Sequence, residues 1–101
     1  MDRARSMEEY SKILNDILDE LADLRSAIEY DEEFMEGALE IISPLEQGVS
    51  ALISQIDSGS YEFGVGELEF IEIAKRANAV LLPFKTLFMR VEMTHKDGLQ
   101  D

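Results

Sequence analysis

The 101-residue chain contains no cysteine, which excludes disulfide staples, thiolate metal sites and cysteine nucleophiles. It has one histidine, His95, so any histidine-based triad would have to be built around that single ring near the end of the chain. Prolines are limited to Pro44 and Pro83, and with 46% hydrophobic and 31% charged residues the composition lies far from that of a disordered chain. Long apolar runs are missing as well. The longest, Ala-Val-Leu-Leu over 79–82, falls far short of the roughly 20 residues that span a bilayer. The opening stretch MDRARSMEEYSKIL starts with charges and never develops the apolar core of a secretory signal. A soluble, cytoplasmic protein with no membrane insertion is the expectation.

Positive charge is scarce: 9 lysines and arginines stand against 22 acids, for a net charge of −13. Such a field repels nucleic acid phosphates and anionic membranes, so direct nucleic acid binding is disfavoured. The imbalance is uneven, with thirteen acids and four bases in residues 1–40 but three acids and five bases in residues 73–101. This asymmetry can bias an antiparallel or intersubunit arrangement, yet exposed ion pairs contribute only about 0–1 kcal/mol each and cannot create one. The acidity reads first as a solvated face; DNA mimicry or a basic partner is the functional alternative.

What the chain does have is a seven-residue repeat. Positions 7, 14, 21, 28, 35, 42, 49 and 56 read Met, Leu, Leu, Ile, Met, Ile, Val and Ile, and positions 10, 17, 24, 38, 45 and 52 read Tyr, Ile, Leu, Ala, Leu and Leu. Alternating three and four spacing predicts helices packed side by side. The series fails at Asp31 and Gly59, which are placed as corners. Helix A is predicted at about residues 6–29 and helix B at about 32–57, the turn between them returning B antiparallel to A. Because the repeat keeps its phase across 29–33, one uninterrupted rod is the alternative. The capping signals of Ser43-Pro44-Leu45-Glu46 suggest a helix start, but the seam continues through them, favouring a kink at Pro44. In loop 58–66, Tyr61 and Phe63 are expected to lie over the end of the helical core, with an aromatic docking loop as the alternative. Helix C is predicted at about 67–95, followed by a frayed tail over 96–101. The expected fold is an all-α, antiparallel three-helix bundle in one domain, with coiled-coil-like packing.

Two sets of residues are candidates for function. Glu92-x-x-His95 resembles the element that four-helix carboxylate di-metal proteins place on two of their helices. A dimer would supply the second copy, but the seam of helices A and B lacks the inward carboxylates such a centre needs. Glu92 also has a structural partner in Lys96, and His95 suits a helix C-terminus. The glycines at 59, 64 and 66 lack the Gly-Lys-Ser/Thr ending of a phosphate loop. No catalytic group and no cofactor are therefore expected.

The other set lies on helix C. On a wheel with Val80 at zero, Leu87, Val91, Phe84, Phe88 and Leu81 share one broad face of about 120°, which includes His95. Met89, Leu82 and Met93 fall on the far side, a second apolar stripe that predicts a partner-binding surface and a homodimer. The functional expectation is a noncatalytic protein–protein interaction module, such as an adaptor, a small chaperone-like protein or an assembly subunit; a dimeric metal-binding protein using Glu92 and His95 is the alternative.

Overall fold

Helix α1, Met7–Tyr30, starts where Ser6 caps it: the Ser6 hydroxyl accepts the Glu9 N–H at 3.0 Å, and the Ser6 carbonyl accepts the first helical bond from Tyr10. The computed structural model describes residues 3–30, 38–77 and 82–100. Helix α2, Ala38–Asp57, runs unbroken through Pro44 and ends before Gly59. Among the described residues the rest of the regular structure consists of α3, Glu69–Arg76, and α4, Lys85–Asp97.

The α1–α2 pair is a hairpin, which removes the single-rod alternative. Arg25 of α1 reaches Ser43 and Glu46 near the start of α2, while Tyr10 meets Tyr61 just beyond its end, so the two helices run antiparallel. The expected corner at Asp31, with Glu32 and Glu33, lies outside the described residues. Most of the predicted seam is interior. Tyr10, Leu14, Ile17, Leu21, Ile42, Leu45 and Val49 are completely buried, Ile28 and Leu52 nearly so. Leu24 and Ile56 are half-buried, and Met7, at 37% exposure, is largely outside.

The predicted single helix C is corrected to two helices. At Ala77 the backbone turns extended, Leu82 is non-helical, and Pro83 lies in a turn. Proline supplies no N–H and disfavours helical geometry in the residue before it; α2 absorbs this at Pro44, whereas before Pro83 the backbone has already left the helix at Leu82. The three-helix expectation therefore gives way to four helices among the described residues, each packed against two neighbours in the order α1, α2, α3, α4 and back to α1. Phe70, Ile71, Ala74 and Ala77 face inward from α3 and its end; Phe88, Val91, Thr94 and His95 do so from α4. Gly48 lets α3 close onto α2, because a Cβ there would come within 2.6 Å of Phe70.

Up to Gln100 the tail is tied to the residues leading into α1. Ala4, fully buried, donates its N–H to Thr94 Oγ1 at 3.0 Å and accepts the Gln100 N–H at 2.8 Å, and the Arg3 N–H reaches Gln100 Oε1. Thr94 completes its own bonding by donating to the Arg90 carbonyl. Among the described residues no helix is long and apolar enough to cross a membrane.

Candidate functional site

His95 sits in the last turn of α4, 5% exposed, with both ring nitrogens engaged. Nε2 lies 2.9 Å from the Gly66 carbonyl and Nδ1 2.6 Å from the Tyr61 hydroxyl, which is in turn 2.9 Å from that of Tyr10. A carbonyl can only accept, so Nε2 carries the proton; in the neutral ring Nδ1 then accepts from Tyr61, and the Tyr61 oxygen accepts from Tyr10. The chain of donors runs in one direction from α1 through the loop to α4 and back to the loop. Burial, reinforced by the bond to Tyr61, pushes the Tyr10 phenol far above its ordinary value; burial raises that of Tyr61, partly offset by the bond it accepts from Tyr10. Neither phenol is poised to give up a proton in neutral solution.

Phe63 completes the cluster, with its ring centroid 5.9 Å from Tyr10 and 5.2 Å from Tyr61. The expectation that Tyr61 and Phe63 cover the core is met: both pack against it.

Glu92 and His95, the candidate metal ligands, are each engaged with other groups in this structure. A ligating imidazole must offer a free lone pair, and the only one on His95 is taken by Tyr61. Glu92 turns instead to Lys75 of α3 at 2.7 Å and to Lys96 at 4.0 Å, the bond to Glu92 holding the Lys75 ammonium above its ordinary range. Among the described residues no three histidine, aspartate or glutamate side chains gather to hold a metal ion.

The three residues of the far-side stripe differ in burial. Leu82 is 0% exposed, enclosed by its own chain; Met89 packs partly against the core, and Met93 is half-buried. The wheel ran through Pro83, where the helical phase is lost, so Leu82 does not share a face with Met89 and Met93. Val80 and Leu81, also used on that wheel, lie outside the described residues.

The structure brings a different set together. Gly64 donates its N–H to the His95 carbonyl, and Gly66 accepts from the His95 ring. Both glycines have positive φ, 76° and 73°, a conformation that side chains disfavour. Val65 between them is 63% exposed, the most exposed large hydrophobic residue among those described. Beside this loop, α3 and α4 flank a cleft of about 270 Å³ lined by Leu68 and Ile71, with Glu67, Glu69 and Glu72 along one wall and Glu92, His95 and Lys96 along the other. A second concavity, including Val65 and Glu62, shares Glu67, Leu68 and His95 with the first. The paired glycines of Gly64-Val65-Gly66 were the available sequence signal for this loop, since glycine adopts positive φ at little cost. No family model matches the chain, and no curated protein or solved structure matches it.

Proposed function

We propose that the protein is a noncatalytic protein–protein interaction module of the cytoplasm, an adaptor, small chaperone-like protein or assembly subunit built on side-by-side, coiled-coil-like helix packing. The observation that carries this reading is Val65, an apolar side chain held in solvent by a loop fastened on both sides to His95. Exposing an apolar group on a rigid loop brings the chain itself no burial, whereas a partner gains contact area without having to order the loop first. The interior polar groups support the same reading: Tyr10, Tyr61, Thr94 and His95 are all committed to bonds between elements.

Capture of partners from host cells, compared between the natural chain and Val65→Ser, tests the proposal. Specific capture that weakens on substitution is expected; an identical set of captured proteins would remove the loop from the interface. Self-association is a separate proposal. With Leu82 enclosed it rests on Met89 and Met93, and sedimentation equilibrium of Met89→Glu/Met93→Glu against the natural chain tests it: a dimer that becomes a monomer is the expected result, and an unchanged mass refutes that interface.

A further inference from the structure

We propose that the α3–α4 cleft receives a short basic segment of another protein, one apolar side chain entering between Leu68 and Ile71 while neighbouring lysines or arginines meet Glu67, Glu69 and Glu72. The inference rests on the interaction reading above and adds the chemistry of the partner.

Size selects the kind of occupant. The cleft, about 270 Å³, has room for one leucine- or phenylalanine-sized side chain and little more. Its floor is apolar, so the inserted group is apolar. Charge selects the flanks. Glu67 and Glu69 form no salt bridge with any described cation, and Glu72 reaches only Lys75, at 3.7 Å, a lysine that lies closer to Glu92. The chain has little with which to neutralise this wall, since no lysine or arginine occurs between Arg25 and Lys75. Exposed carboxylates around an apolar floor match a cationic partner, which they steer toward the cleft before contact.

The two walls also set an orientation. Acidic side chains dominate the wall at α3, whereas α4 contributes Lys96 and a Glu92 already paired with Lys75 and Lys96, so the cations of the segment lie over α3. A second copy of this chain is a poor occupant, because each copy carries a net charge of −13 and would bring further acid to an acidic wall. Val65, at the mouth of the adjoining concavity, extends the apolar contact beyond the cleft without requiring the loop to move.

The test is a titration of the isotope-labelled full chain, followed residue by residue by nuclear magnetic resonance. The probes are a short lysine-rich peptide with one central leucine, the same peptide with glutamate for lysine, and the same peptide with glycine for leucine. Saturable shifts at Val65, Leu68 and Ile71 are expected with the first, none with the glutamate peptide, and at least about tenfold weaker binding with the glycine peptide, as for loss of an anchor residue. Glu67→Lys/Glu69→Lys/Glu72→Lys should abolish binding. Val65→Ser, at an exposed position that leaves the fold intact, should weaken it. Raising ionic strength from about 0.05 M to about 0.5 M should weaken it as well, since charges near the surface are screened.

Shifts spread over the acidic face of α1 around Asp19 and Asp23, with no preference for leucine, would reduce the effect to general charge attraction and overturn the proposal. Equal binding of the glutamate peptide, or concentration-dependent shifts at the cleft without any peptide, would overturn it too. Host capture that persists while the basic peptide fails leaves the interaction reading intact and removes only the basic segment.

Discussion

The hairpin of α1 and α2 and the half of the molecule that follows it are held together by different means. Between α1 and α2 the fold relies on a regular apolar seam whose members were set by period alone, from Leu14 and Leu21 on one helix to Ile42 and Val49 on the other. After Asp57 the helices are short, α3 having 8 residues and α4 having 13, and an isolated helix of that length is marginal in water. There the chain uses discrete fasteners: the Tyr10–Tyr61–His95 relay, the Gly48–Phe70 approach, and Thr94 and Gln100 on Ala4. Repeated packing tolerates local change by spreading it, while a fastener concentrates stability in a few atoms and lets nearby surface be irregular. That irregular surface is where the cleft and Val65 are found.

The contrast is broken most forcefully at the seam. Leu14→Asp places an unpaired carboxylate in a completely buried position and should cost several kcal/mol, abolishing the helical circular dichroism of the whole chain. Leu24→Asp, at a half-buried position of the same repeat, should leave a folded protein with a lowered unfolding midpoint; equal loss at both positions would mean that burial does not grade the seam.

His95→Ala tests the fasteners. It leaves the Gly66 carbonyl and the Tyr61 hydroxyl without their partner, and a cost of about 1–3 kcal/mol follows in chemical denaturation. Amide exchange should accelerate first at Gly64, whose N–H bonds the His95 carbonyl, and across the loop, while α1 and α2 stay protected. Uniform acceleration would mean the two halves open as one unit.

Gly48→Ala probes the boundary between the halves. Overpacking against Phe70 costs about 1–3 kcal/mol, and the better helix propensity of alanine returns about 1 kcal/mol, so a modest net loss is expected from the unfolding midpoint. A gain in stability would show that α3 can shift away from α2 without penalty.

The smallest effect is confined to alkaline solution. The Tyr10 and Tyr61 phenols are raised above the ordinary 10.0, so the folded state holds these protons more tightly than the unfolded state does. Their contribution to stability is complete below pH 10.0 and declines as pH rises through the folded values. Ultraviolet titration should show these two rings ionising late, together with unfolding; an ordinary titration in the folded protein would contradict their burial.

Much of the fold was legible because helical packing writes itself into sequence as a period, and α1 and α2 carry that period almost unbroken. Helix C misled because apolar residues on both sides of Pro83 can be placed on one wheel, although the backbone is out of helical geometry at Leu82 and Pro83. The false wheel also gave Leu82 to a surface when it belongs to the core. The relay could not be found by local spacing, since it joins residues 51 and 34 apart in the chain. Its traces were a tyrosine among the leucines of the seam and a histidine on the inner side of α4. The cleft left a fainter sign, because it depends on how α3 and α4 face each other across a turn rather than on either helix alone.

The clasp of Arg3 and Ala4 with Gln100 sets two backbone positions nearly a hundred residues apart side by side. The segment leading into α1 is thereby fastened to the segment that follows α4, closing the ring of helices at its two outer members. A force drawing residues 4 and 100 apart would load those few bonds before any helix and make them the first to yield.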